Sequence, residues 1–146
     1  MAEAVGAKVY AAIFAEVNFP TSHPQFMGVL NLSRPSSRER LAEADVVLAV
    51  GTNVFSSFMY LAEGHLSPGT KLIHLDSSSR EVEKVHPTEV GMIADPKTAL
   101  RELTDLLQQE MSGVVKEAAR TRAASIGEEK RHATAAAQER IRGRWD

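Results

Sequence analysis

Gly51, Thr52 and Asn53 follow directly on the apolar run Val46-Val47-Leu48-Ala49-Val50, and Asp76 and Asp95 each close a shorter apolar run further along the chain. Backbone amides at a small-residue turn can receive phosphate oxygens, and an acid at the end of a neighbouring strand can receive ribose hydroxyls. Together they are the parts of a nucleotide crevice. Each acid also has a plainer use. Asp76 precedes Ser77-Ser78-Ser79 and Asp95 precedes Pro96, so either acid could cap a following helix. The chain has no Gly-x-Gly-x-x-Gly and no Gly-x-Gly at all, which favours the cap at both positions, most clearly at Asp95.

Other groupings that could do chemistry weaken on inspection. Gly64-His65-Leu66-Ser67-Pro68-Gly69-Thr70-Lys71 has the residues of a phosphate loop, but Thr and Lys are reversed and the string precedes a strand instead of following one. A phosphate loop works through its own amides and those of the next helix, so this order does not serve. His23, His65, His74, His86 and His132 form no i,i+4 pair and have no acid at ligand spacing, which argues against a metal site. His23, between Ser22 and Pro24, reads as a residue that holds its loop by hydrogen bonds; no base-orienting partner accompanies it. With no cysteine, disulfides, thiolate metal sites and cysteine nucleophiles are excluded together.

The 146 residues are 43% hydrophobic but 5% aromatic, as suits one α/β core of Val, Leu, Ile and Ala. A net charge of −2 offers no basic footprint for nucleic acid. No apolar run approaches the roughly 20 residues that cross a bilayer, and no signal-peptide order opens the chain, so a cytoplasmic protein is expected. Residues 1–112 carry 9 basic and 14 acidic groups and residues 113–146 carry 8 and 5. An acidic body, 1–112, is thus expected to meet a mildly basic helical linker or tail, 113–146, at Ser112-Gly113.

The elements that would position the crevice follow from pattern. Ala44 to Thr52, apolar on both alternations, reads as the central strand of a parallel sheet covered on both faces. Met1 to Gly6 reads as the last turn of a helix closed by Gly6, and Lys8 to Ile13 as a short strand. An α/β unit normally shows more before that point, so the expectation is a unit without its opening strand. Phe14 to Pro35, with Pro20, Pro24, Gly28 and Pro35, reads as a loop.

Ser36-Ser37-Arg38-Glu39 and Ser78-Ser79-Arg80-Glu81 have capping-box spacing and predict helices to about Glu43 and Val85. Phe55, Met59 and Ala62 predict a helix or helical loop over 54–63. Ser67-Pro68-Gly69-Thr70 predicts a type II turn, Lys71 to Asp76 and Val90 to Ala94 predict strands, and Asp95-Pro96 opens a helix with the stripe Leu100, Leu103, Leu107 and Met111. The last stretch offers few large apolar groups, chiefly Ile126, Ile141 and Trp145. It is expected to find its packing partner outside the chain. The fold class expected is α/β, an open parallel sheet with helices on both faces, a Rossmann-like variant, followed by a C-terminal helical tail.

Phe19-Pro20-Thr21-Ser22-His23-Pro24 with Gly28, Ala44-Asp45-Val46-Val47-Leu48-Ala49-Val50-Gly51-Thr52, Pro68-Gly69-Thr70-Lys71-Leu72-Ile73-His74-Leu75-Asp76 and Ile93-Ala94-Asp95, in that order, resemble the central domain of thiamine-diphosphate-dependent enzymes. The resemblance covers about residues 2–111 and is greatest to benzoylformate decarboxylase, with acetolactate-synthase-like proteins next. It implies a parent lyase or transferase acting on 2-oxo acids, with thiamine diphosphate and magnesium held between two other domains and no catalytic residue in the middle one. This polypeptide alone would then be inactive, with structural and assembly roles. Its partners would be the other domains and, through the tail, further copies in a homo-oligomer.

Some relatives of that kind bind the ADP part of FAD on this domain, at positions matching Gly51, Thr52, Asp76 and Asp95. Leu75-Asp76-Ser77-Ser78-Ser79 lacks the second acid of the flavin pattern and the opening glycine-rich turn is absent, which speaks against FAD. The alternative is a freestanding nucleotide-binding module on the same sheet, with Asn53 joining the crevice.

Overall fold

Along β4 (Lys71–Asp76) the side chains of Leu72, His74 and Asp76 point one way and those of Ile73 and Leu75 the other. Leu75 is 0% and His74 1% exposed, so this strand is covered on both faces. The computed structural model describes residues 1–13, 19–53 and 66–144. β4 lies between β3 (Val46–Val50) and β5 (Val90–Ile93), parallel to both, with Val50 opposite Leu75 and Asp76 opposite Ile93. The apolar run expected at the centre of the sheet is therefore at an edge among the described residues, and β4 takes the central place. Period does not single out β4, because β3 is apolar on both alternations while β4 is broken by His74, which is nonetheless buried.

The chain forms two compact units, Met1–Ala11, Glu16–Val29 and Glu102–Asp146 in one, Ala12–Ala15 and Leu30–Arg101 in the other. In the second, Leu41, Ala49 and Leu72 form the buried cluster, with Leu30, Leu32, Val47 and Leu66 against it. Leu41 comes from α2 (Pro35–Ala42). The Ser36 capping box expected there does not form. Arg34 is the N-cap and Pro35 takes N1, where a missing N–H costs nothing. Ser37 is turned to other work, its hydroxyl accepting from the Asn31 amide at 3.1 Å. The turn before β4 is as expected: the Thr70 amide donates to the Ser67 carbonyl at 3.0 Å and Gly69 has φ 96°, the positive value a type II turn needs. Its Thr70 hydroxyl also donates to the Ala44 carbonyl at 2.8 Å, tying the turn to the entrance of β3.

After β4 the expected helix from Ser78 is replaced by consecutive turns. Only the i,i+3 bonds Glu81 to Ser78 and Lys84 to Glu81 form, and Glu83 has φ 60°. A left-handed residue stops propagation, and a segment this short cannot repay helix nucleation. The Thr88 hydroxyl donates to the Glu83 carboxylate at 2.7 Å and holds the bend. The predicted helix over 54–63 falls outside the described residues.

In the first unit, α1 (Ala2–Val5) is closed by Gly6 at φ 63°. β1 (Val9–Ala12) pairs with β2 (Phe26–Leu30), so the segment expected to be all loop contains a strand. The Val9 amide donates to the Gln25 carbonyl and the Ile13 amide to that of Leu30, so both strands run the same way. Between those bonds β1 advances four residues and β2 five. Gly28, at φ 104°, lies in that interval and breaks the alternation by which β2 would have been recognised.

α3 (Pro96–Glu110) and α4 (Gly113–Arg142) complete the chain. Ser112 caps α4, its hydroxyl accepting from Val115 at 3.3 Å. The first half of α4 has its partner within the chain, contrary to expectation. Ala119 is 1% and Ile126 7% exposed. The carbonyl of Ala119 stands where a Cβ on Gly6 would be, and Arg122 donates to the Val5 carbonyl at 2.8 Å. Lys130 donates to the carbonyls of Thr21 and His23, both at 2.6 Å. The helix needs few large apolar groups there because Gly6 and Gly127 allow close approach and charged side chains bond to loop and helix-end carbonyls. Ile141 remains 60% exposed, and Trp145 lies outside the described residues.

Candidate functional site

The parallel register brings the carboxyl ends of β3, β4 and β5 level, so Gly51, Asp76 and the residues after Ile93 form a row along one rim. The Gly51 amide donates to the Leu75 carbonyl at 2.8 Å and the Ala94 amide to that of Asp76 at 3.0 Å. Gly51 has φ 53°, and a Cβ built on it would stand 3.9 Å from Pro96 at the start of α3. Thr52 is half-buried and Asn53 exposed as the chain leaves the rim. The fold thus gathers Gly51, Asp76 and Asp95 at one place, where an open α/β sheet presents its crevice.

What the two acids do there is local. Asp76 is 8% exposed, and its Oδ1 accepts from the Ser78 amide at 2.7 Å. This is the turn-forming bond of an Asp two residues before an amide, without the following helix that a cap would serve. Asp95 accepts from the Thr98 amide at 2.8 Å and is the N-cap of α3. The Thr98 amide, then the Thr98 hydroxyl, hold its carboxyl below the ordinary value of 3.8. A phosphate brought to the amino end of α3 would meet that carboxylate. Ribose hydroxyls would find acceptors, but one oxygen of Asp76 is already engaged.

His74 is the group that pattern reading passed over. It sits on β4 opposite Ala49 and Gly91, on the same face as Asp76, and its Nε2 is buried without a hydrogen-bond partner among the described residues. Its signal in the sequence is one polar residue inside Leu72-Ile73-His74-Leu75. His23 is a loop-holding residue: Nδ1 accepts from the Gln25 amide and Nε2 meets Glu3 at 3.2 Å. Among the described residues no group of three or more His, Asp and Glu could hold a metal. A broad depression of about 860 Å³ lies at the other end of the sheet, lined by Pro35, Arg38, Glu39, Pro68, Thr70 and His86 among others. It includes none of the rim residues.

Comparison with known proteins places this geometry. Residues 1–103 match the family described as the thiamine pyrophosphate enzyme, central domain. A thiamine pyrophosphate-containing protein of Bacillus subtilis, YdaP, is 29% identical over 109 residues, covering 74% of this chain and 18% of that protein. An acetolactate synthase of Mycobacterium avium is 27% identical over 111 residues, 75% of this chain and 18% of that one. The solved thiamine diphosphate-dependent 4-hydroxybenzoylformate decarboxylase of Rhodococcus jostii superposes with a TM-score of 0.62 at 29% identity, over 73% of this chain and 20% of its own. The chain thus spans about a fifth of the length of these relatives. With the resemblance in its motifs, the order of its parallel strands and the match over residues 1–103 in agreement, the chain belongs to the central-domain family of thiamine pyrophosphate enzymes.

Proposed function

We propose that residues 1–112 serve as a non-catalytic central domain of a thiamine-diphosphate-dependent 2-oxo-acid decarboxylase or carboligase, with residues 113–146 as its helical linker or tail. The observation that carries this is the use made of the two rim acids: Asp76 shapes the turn after β4 and Asp95 caps α3. Both are committed to backbone amides that the fold would otherwise leave unpaired. Neither is held ready as a proton carrier or a ligand.

The residues present do not fit magnesium-bound thiamine diphosphate. The rim offers bonded carboxylates, Asp76 at its middle and Asp95 at one end, where a diphosphate would need donors. The cofactor and its metal belong, on this reading, to other domains of the parent protein. FAD fits no better, since the amino end of α3 that would face its diphosphate carries Asp95. Further copies of the chain are proposed partners in a homo-oligomer, in the cytoplasm.

Calorimetric titration of the chain with thiamine diphosphate and magnesium tests the assignment. No heat of binding and no decarboxylation of benzoylformate are the expected results. Saturable micromolar binding of the cofactor would overturn it.

A further inference from the structure

Gln25, 2% exposed, is the point at which the parts of the first unit are tied together. Its side-chain amide donates to the carbonyls of Ala2 and Ala7, both at 2.9 Å, and its own carbonyl accepts from the Val9 amide at 2.8 Å. α1, the entrance of β1 and the loop before β2 therefore meet on one residue. The Gln25 backbone amide donates to His23 Nδ1 at 3.2 Å. An amide has only a proton to offer, so Nδ1 is the bare nitrogen of the ring and Nε2 carries the proton, which it donates to Glu3 at 3.2 Å. The His23 carbonyl accepts from two further donors, Lys130 Nζ at 2.6 Å and the Phe26 amide at 3.0 Å. Ring and backbone of one histidine thus hold the Gln25 hub on one side and α4 on the other.

We propose that His23 is a proton-operated latch: a second proton on its ring releases the Gln25 amide and loosens the loop's hold on α1 and α4. Histidine is the side chain whose charge ordinarily changes between pH 5 and 8, and protonation here places an N–H where the Gln25 amide needs a lone pair. The charged groups around the ring decide the balance. Glu3, on α1, favours the charged ring, but its side chain is 80% exposed, and so exposed a pair shifts an equilibrium by about fivefold at most. Lys130, on α4, opposes a second positive charge, its ammonium lying against the His23 carbonyl. Glu129 and Glu128 of α4 are engaged by Lys8 at 3.0 Å and Arg131 at 2.6 Å. Within the loop the ring meets Phe19, uncharged, 5.0 Å away at 79°. A buried amide left facing a donor costs about tenfold or more, so the lost bond outweighs the exposed pair. The latch is closed while the ring is neutral and opens on acidification. It stands whether or not the chain acts as a central domain.

Measurements on the full chain test it. The two-bond proton–nitrogen spectrum of the His23 ring at pH 8 should show a bare Nδ1 and a protonated Nε2; a protonated Nδ1 overturns the latch. Amide exchange reads the response. Expressed as protection factors, which remove the chemical dependence of exchange on pH, protection at Val9, Gln25 and Phe26 should fall about tenfold between pH 8 and pH 5. Protection at Gly51 and Lys71, in the other unit, should stay level. Level protection at Gln25 overturns the proposal.

His23→Asn separates the ring's proton from a general effect of acid. Asn bonds the amide two residues on and has no proton to gain, so protection at Gln25 should be the same at pH 8 and pH 5. The same fall in this variant assigns the response to another group and overturns the latch. Glu3→Gln changes only an exposed side chain and keeps the test open if His23→Asn does not fold. The fall at Gln25 should persist in it; loss of the fall would make Glu3, not the ring, the source and would overturn the latch as well.

Discussion

The carbonyl of Ala119, in the first third of α4, occupies the space that a side chain on Gly6 would need. Gly6 also closes α1 at φ 63°, so one residue both ends a helix and admits another against it. Gly6→Ala combines a disfavoured conformation with a backbone collision that no rotamer change relieves. The expected outcome is loss of about 2–4 kcal/mol of stability, from conformational strain and the overpacking of a close contact. Hydrogen exchange should accelerate in residues 1–8 and 113–127 together. Exchange raised in only one of those segments would separate the turn from the docking.

The rim predicts a nucleotide response of a particular kind. Any affinity for ADP should appear first in the amide resonances of Gly51, Thr52, Asn53, Ser77 and Ser78, since the strands end there. It should stay in the millimolar range, because Asp95 opposes the diphosphate at the amino end of α3. Asp95→Asn removes that opposition while keeping a good cap and should tighten ADP severalfold. Shifts confined to residues 130–144 would indicate attraction to the basic end of α4 alone.

Acid stability follows from the two carboxylates with lowered pKa. Hydrogen bonds from the Thr88 hydroxyl and amide hold Glu83 below 4.5, and those from the Thr98 amide and hydroxyl hold Asp95 below 3.8. A folded-state pKa below the unfolded one contributes stability that is full above the unfolded value and lost as pH falls through the folded one. Both contributions therefore persist from neutral pH down to about pH 5 and fade below pH 4. Glu83→Gln/Asp95→Asn should melt below the unsubstituted chain at pH 7, fall less steeply between pH 5 and pH 2.5, and converge with it at the acid end. Parallel melting curves across that range would count against the two bonds as the source of acid sensitivity.

The strands and turns that rest on local chemistry were legible from residue pattern. β4 begins at Lys71 and ends at Asp76, as the strand expected after the Pro68-Gly69 turn, and Pro68-Gly69 and Asp95-Pro96 act through their own backbone preferences. The errors share a cause, which is competition from outside the segment. Ser36 lost its cap to Arg34-Pro35, and Ser78 lost its helix to the left-handed Glu83 held by Thr88. β2 was hidden by the extra residue at Gly28, and the docking of α4 by its reliance on small residues and carbonyl-seeking cations. Of the site, the gathering of Gly51, Asp76 and Asp95 followed from sheet geometry. The engagement of Asp76 by Ser78 without a helix, and the burial of His74, depend on neighbours that sequence spacing does not name.

The two halves of α4 should respond differently to truncation. Residues 113–130 contribute the buried Ala119 and Ile126, the Arg122 bond to Val5 and the Lys130 bonds to Thr21 and His23. Burying one Ile side chain contributes about 1.5–3 kcal/mol, and hydrogen bonds from charged donors contribute about 1.5–3 kcal/mol each when well made. A chain ending at Ser112 should therefore lose at least about 3 kcal/mol, and residues 1–29 should become protease-sensitive. A chain ending at His132 keeps all of these contacts and should melt within about a degree of the full chain, because residues 133–142 are mostly exposed and surface positions contribute little. Sedimentation of that shorter chain also tests the tail as the proposed self-association contact: loss of association places the contact in residues 133–146, and unchanged association excludes them.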